Sequence, residues 1–356
     1  MYFNVDKYPI AILDTNVFYD FCYMYGFYDF GFIGKANPHV NYDNLESILE
    51  THLINKSLFI SSATIFEVIG RFRNNDALLR KLMVFLWDIS QKYSYNLFAF
   101  YTIGGFFSFG KETDNFWNEV SKDYMKLVEN KEMIFDSKIQ SEADVLLSFA
   151  RIIIYCYLNG VSKGDKEIEE KAKQYINFHQ RFPKGYKIYS YEKSKCCSIL
   201  DKYYNQKIKI IDCFDLLLNE VFIEADMYMN PGFDRIDIPE GKALIEVIDL
   251  KKVNAVRKIH RWFCDNRKHI NISDLLKNIY FEKELSNCQM GFINKSINML
   301  FNNCKKVKKN DTEDFWNMGY IYMDKSYLIT FEKSIIELMI HYEKNNYKYI
   351  SQFYTQ

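Results

Sequence analysis

Three short apolar runs, each ending where a helix signal begins, limit what this chain can fold into. Ile10-Ala11-Ile12-Leu13 stops at Asp14, and a helix reading starts at Asn16. Leu58-Phe59-Ile60 stops at Ser61-Ser62, and Tyr327-Leu328-Ile329-Thr330 stops at Phe331-Glu332. Runs this short and this apolar, next to turn and cap residues, read as strands covered on both faces. Strands that alternate with helices pair in parallel, with the helices on the sheet faces. The fold class is therefore α/β, with a central, mostly parallel sheet.

Helical spacing dominates elsewhere. Tyr42 to Asn55 and Asp76 to Tyr93 carry apolar stripes at i, i+3 and i+4, and Ser62 or Thr64 is a cap for a helix with Glu67 in its first turn. The middle reads as helices over Thr113 to Asn130, Ser141 to Leu158, Lys166 to Phe178, Ile208 to Ala225, Ala243 to Cys264 and Ile272 to Asn302. Residues 94–110 are uncharged and contain Gly104-Gly105, which suits strands or a turn in a core. At the end come a helix from Asp314 to Met323, a strand, and a helix from Lys333 to Tyr342. Residues 1–93 and 300–356 thus form one discontinuous core, and 94–299 a large, mainly helical insertion. A long insertion at a loop adds little closure entropy.

Acids mark the ends of these elements. A carboxylate just past a parallel strand lies at the crevice where open α/β sheets bind ligands. Asp14, Glu67, Asp311, Asp314 and Glu332 all take such strand-end or helix-start places. Carboxylates gathered in one crevice repel each other unless a cation neutralises them, and hard oxygen donors suit Mg²⁺ or Mn²⁺. Each acid also has a plainer role. Asp14 is a fitting helix N-cap, and Glu67 is spaced to pair with Arg71. Asp311 and Asp314 offer a cap and a favourable charge at a helix start, as does Glu332 for the last helix.

The order of these acids resembles the PIN-like nuclease family. Asp14-Thr15-Asn16 matches its first motif, a strand ending in Asp. Ser61-Ser62-Ala63-Thr64-Ile65-Phe66-Glu67-Val68 matches the second, Asp311 and Asp314 the third, and Ile329-Thr330-Phe331-Glu332 the fourth. The family usually has Asp where this chain has Glu332. The resemblance covers the two ends of the chain and not its middle. It implies a metal-dependent endoribonuclease, with a toxin-like or phage-defence role in view. Asp14, Glu67, Asp311 and Asp314 would hold one or two Mg²⁺ or Mn²⁺ ions, with Glu332 completing the set. Thr15, Asn16 and Thr330 would stand behind these ligands and orient them. Two alternatives stay open: a PIN-like scaffold or binding module without catalysis, and a structure-specific DNA nuclease. The latter needs a duplex-binding module, and no helix–hairpin–helix signature is legible.

Charge and composition narrow the partners. Lys and Arg total 46, as do Asp and Glu, so no bulk charge draws nucleic acid and any basic surface is local. Lys305, Lys306, Lys308 and Lys309 lie just before Asp311 and suit a nucleic-acid backbone, or simply a solvated linker. RNA is the expected partner, single-stranded DNA the second, and the helical middle offers a surface for a protein partner or a second copy. The eight Cys form no C-x-x-C and no zinc spacing with His. With no secretory signal and no membrane helix legible, the expected location is cytoplasmic. No P-loop and no G-x-S-x-G occurs. If the acids repel one another, Asp14→Asn should cost little stability.

Overall fold

The computed structural model describes residues 9–31, 37–99, 111–161, 286–302, 326–342 and 344–355. It also describes residues 166, 167, 169–171, 174, 218, 257–259, 261, 262, 264–266, 314, 315, 317–319 and 321. Asp311 and Lys305, Lys306, Lys308 and Lys309 lie outside them, as do nearly all of the helices expected between 166 and 285.

Four strands form one parallel sheet: β1 (Ile10–Leu13), β2 (Leu58–Ser61), β3 (Phe98–Ala99) and β4 (Ser326–Ile329). Their order is β3-β2-β1-β4, so among the described residues the first strand is central and the last pairs beside it. Ala11 and Leu13 of β1 are fully buried, which explains a run with no polar alternation. Leu13 pairs with Ile60 on one side and with Ile329 on the other. The next residues in register are Asp14, Ser61 and Thr330. They form one polar row at the C-terminal edge, directly above an apolar row.

Helices connect these strands: α1 (Thr15–Met24), α2 (Tyr42–Ile54), α3 (Ser62–Phe72) and α4 (Asp76–Tyr93). After β3 come α5 (Lys111–Val120), α6 (Met125–Glu129) and α7 (Lys131–Val161). Then follow α8 (Asn287–Asn302), α9 (Lys333–Tyr342) and α10 (Lys344–Ile350). The cap of α3 is Ser61, whose Oγ accepts from Thr64 N–H at 3.1 Å, rather than Ser62 or Thr64. Starting at Ser62 moves Glu67 from the first helical turn to the second.

The single helix expected over Thr113 to Asn130 is two. Asp123 accepts from the N–H of Met125 (2.9 Å), a local side-chain bond that competes with helix continuation. The break lets Tyr124 turn inward. Its hydroxyl accepts from Leu97 N–H (3.0 Å) and donates to Asn96 Oδ1 (2.8 Å), and its ring packs on Phe98. An edge strand of two residues is fixed this way. The α7 helix starts well before Ser141, where Lys131 donates to the carbonyl of Arg73 (2.9 Å) and pairs with Asp76.

The chain divides into two compact units. One contains Met1–Lys138, Glu284–Phe292 and Glu313–Gln356, and therefore the sheet. The other contains Ile139–Lys283 and Ile293–Thr312, and its described residues are helical. Its core includes Ala150, Ile153, Ile154 and Cys156, and Tyr157 meets Trp262 edge to face at 5.6 Å. Gly160 is required there, since a Cβ would fall 1.6 Å from Trp262. Among the described residues no helix is long and apolar enough to cross a membrane.

At the opposite edge of the sheet sits a buried histidine. His52 Nδ1 lies 2.7 Å from Ser57 Oγ, and its Nε2 meets the hydroxyl of Tyr327. The ring is thus held between two hydroxyls, one at each nitrogen. Tyr327 stacks on Tyr349 with centroids 4.4 Å apart. The network joins α2, β4 and α10 around a neutral imidazole. Burial holds the pKa of His52 down, from 6.5 to about 4. Above pH 6.5 both folded and unfolded states carry it neutral. As pH falls from 6.5 towards 4, only the unfolded state takes up the proton, so stability drops, by about 3 kcal/mol for a shift this size. Denaturant titrations should show that loss over this window, and His52→Gln, although weaker at pH 7, should flatten it. An equally steep loss in the variant would assign the effect elsewhere.

Candidate functional site

The polar row above the sheet is built around one buried carboxylate. Asp14 is 4 % exposed and closes β1, with extended backbone and a side chain that caps α1. Its Oδ1 accepts from Thr15 N–H (2.8 Å) and from the Nδ2 amide of Asn317 (2.8 Å). Its Oδ2 accepts from the hydroxyl of Thr330 (2.6 Å). Its own N–H donates to Ile329 O (3.0 Å), continuing the ladder to β4. Both the cap role and a wider role are therefore filled by one residue.

The donors are held in turn. Thr330 is fully buried, and its Oγ1 also accepts from Glu332 N–H (3.0 Å). Ser61 Oγ has one hydrogen to give and stands 3.1 Å from both Asn317 Oδ1 and Thr64 Oγ1. Thr64 in turn donates to the carbonyl of Leu13 (2.8 Å). A hydrogen-bonded chain thus crosses from the end of β2 to Asn317 and then to Asp14 at the end of β1. Hydrogen bonds to a charged acceptor contribute about 1.5–3 kcal/mol each, and a buried donor left without its acceptor costs about 1–3 kcal/mol. Asp14→Asn replaces one acceptor oxygen with a donor, so it costs stability on that scale. The described donors on Asp14 argue for such a cost where mutual repulsion of acids would leave the substitution nearly free.

Of the remaining acids, Asp314, Glu332 and Glu67 are among the described residues. Asp314 is half-buried, one helical turn before Asn317, and residues three apart share a helix face. Glu332 directly precedes α9. Its carbonyl accepts from Ile335 and Ile336, and its Oε1 accepts from Ser334 (3.2 Å). Glu67 is half-buried in the second turn of α3, which leaves the same edge of the sheet. It lies in the surroundings of Tyr19 on α1, whose hydroxyl pKa is raised by burial, lowered by Arg71 and raised again by Glu67. Among the described residues no three His, Cys, Asp or Glu side chains are gathered closely enough to hold a metal ion. Asn16 is exposed, and the amide on Asp14 comes from Asn317. Asn317 was not singled out from the sequence. The available signal was an amide three residues after Asp314, between Trp316 and Met318. Ser61 and Thr64 belong to the second motif, and the structure adds them to this edge.

Comparison with family models, with curated proteins and with solved structures found no match, so this edge is read from its own residues. In kind, the donors fit a divalent cation: every acid here offers hard oxygen. Next to Asp14 in sequence, Thr15 Oγ1 is buried and has no hydrogen-bond partner among the described residues. Such an orphan hydroxyl marks a place for water or an ion. Asp14 thus fits as one oxygen ligand in a fixed orientation.

Thr330→Val, which keeps shape and removes the hydroxyl, strips Asp14 Oδ2 of its donor and Glu332 N–H of its acceptor. It should lower unfolding free energy by about 2–4 kcal/mol, whereas Thr330→Ser should cost less than about 1.5 kcal/mol. Denaturant melts of the two variants measure this, and equal losses would show that packing, not the hydroxyl, matters at this position.

Proposed function

We propose that this edge is the centre of a metal-dependent nuclease with a PIN-like core, in the first place an endoribonuclease. The observation that carries the reading is a buried carboxylate at the C-terminal end of the central parallel strand, held in a fixed orientation by donors from Thr15, Asn317 and Thr330. The sheet edge agrees with where open α/β folds bind ligands. The preference for RNA comes from the resemblance of the four motifs alone.

In this reading Asp14 is the fixed ligand. Thr15 and Asn317 occupy Oδ1, and Thr330 pins Oδ2, so the carboxylate cannot rotate away from the edge. Glu67, Asp314 and Glu332 would add oxygens from α3, from the helix of Asn317 and from the β4–α9 junction, with Asp311 before them. A bound Mg²⁺ or Mn²⁺ would supply an activated water and charge stabilisation for the leaving oxygen. The orphan hydroxyl of Thr15 is positioned in sequence to hold a water next to Asp14.

A second reading, a binding module without catalysis, is favoured by one observation. Neutral donors from Thr15, Asn317 and Thr330 already meet the Asp14 carboxylate. Cleavage of unstructured RNA with Mg²⁺ or Mn²⁺, and EDTA as control, separates the two. The nuclease reading expects metal-dependent cleavage. Asp14→Asn should lose more activity than the ~10–100-fold typical of groups that only support a ligand, and Glu332→Gln should fall within that range. Cleavage by wild type and Asp14→Asn that is equal and EDTA-resistant would refute the mechanism. Absence of both cleavage and a metal-induced thermal shift would favour the binding module.

A further inference from the structure

One stretch of chain meets both ends of β4. Tyr349, on α10, stacks on Tyr327 near the start of the strand, and Phe353, just after α10, meets the ring of Phe331 past its end, with centroids 6.5 Å apart. Helix α2 runs the opposite way. Its last turn brings His52 to Tyr327, and its N-terminus, at the other edge, meets residues 352–355. There Val40 and Tyr354 face each other as an antiparallel bridge. Asn41 N–H donates to Phe353 O and Thr355 N–H to His39 O, both at 2.7 Å. His39 Nδ1 lies 3.0 Å from Thr355 O, and Asn44 Nδ2 donates to Gln352 O (3.0 Å). Phe353 and Tyr354 are buried, whereas His39, Gln352 and Thr355 are exposed. Two buried rings and a few solvent-exposed hydrogen bonds thus hold this segment. Segments held in this way open locally at a fraction of the free energy of global unfolding.

Phe331 sits between the two residues that close the sheet edge. Thr330 before it donates to Asp14 Oδ2 (2.6 Å), and Glu332 after it donates its N–H to Thr330 Oγ1 (3.0 Å). Strand β4 orders this turn through its backbone, and Phe353 orders it through the Phe331 ring. We propose that residues 352–355 are a strap that regulates the turn. Docked on residues 39–44, the strap holds Phe331 and keeps Thr330 and Glu332 in place. Undocked, it frees Phe331 and the turn loosens while the rest of the sheet stays intact. The link between strap and turn stands on these contacts. Its effect on catalysis rests on the nuclease reading, in which the docked form is the active one.

The test uses the full chain with the strap freed or locked. Thr355→Pro removes the N–H and the hydroxyl that meet His39 O, at an exposed position, and His39→Ala removes the ring that meets Thr355 O. Val40→Cys with Tyr354→Cys locks the strap. These two residues form a non-hydrogen-bonded pair, where Cα atoms stand about 4.5 Å apart, within disulfide reach. Residue-resolved hydrogen exchange reads the strap at Asn41 N–H and the turn at Glu332 N–H. Freeing the strap should speed exchange about tenfold at Asn41 and in step at Glu332, while Ala11 and Ile60 in the sheet keep their rates. The cross-link, confirmed by peptide mass, should slow both sites relative to its reduced form. An unchanged rate at Glu332 in the freed variants or on cross-linking would overturn the proposal. So would equal acceleration at Ala11 and Ile60, which marks a general loss of stability. Cleavage of unstructured RNA with Mg²⁺ then separates the two premises. Cleavage that falls in Thr355→Pro and persists in the cross-linked form supports regulation by the strap, and cleavage indifferent to the strap refutes it. No cleavage by any form, with the exchange linkage present, removes the nuclease reading and leaves the strap as the element that orders the turn.

Discussion

A carboxylate buried at the end of the central strand governs this structure. An ionised group removed from water must be compensated on the spot. Asp14 obtains its donors from three places in the chain: its own successor Thr15, Asn317 and Thr330. Those donors are in place only if β4 pairs beside β1 in one register and the helix of Asn317 lies over the same edge. A slip by one residue would turn Thr330 to the other face of the sheet and leave the charge short of a donor. The polar row therefore selects the topology as much as the apolar rows beneath it do.

The apolar rows supply most of the driving force, and they do so without specificity. Ile, Leu and Phe of β1, β2 and β4 would bury equally well in several registers. The polar row above and the His52–Ser57–Tyr327 network below act as pins at the two ends of the strands. The upper network holds an ionised group among donors. The lower one holds a neutral imidazole between two hydroxyls. Both are satisfied by side chains distant in sequence, which is why each adds cooperativity between the two ends of the chain.

For chemistry, the consequence is an oxygen centre held in one orientation by Thr15, Asn317 and Thr330. A preorganised oxygen avoids the cost of ordering at the moment of binding. The same preorganisation would serve a site that only binds. Fold and site geometry are compatible with both, and the resemblance of the four motifs tips the reading towards phosphodiester cleavage.

Much of the sheet was legible in sequence because short apolar runs between helix signals permit few alternatives. Strands β1, β2 and β4, the parallel class, and the helices flanking them follow from local pattern alone. Asp14 and Thr330 were legible as residues of the C-terminal sheet edge because they end such runs. Other features were decided only by tertiary structure. The break at Asp123 depends on a competition between a side chain and the helix. Strand β3 is two residues long and exists because Tyr124 holds it. Asn16, next to Asp14 in sequence, turns out to solvent, while Asn317 from the far end of the chain supplies the amide. Sequence records which residues are adjacent along the chain, and a buried charge is satisfied by whichever donors the register brings within about 3 Å. That register is a property of the assembled sheet.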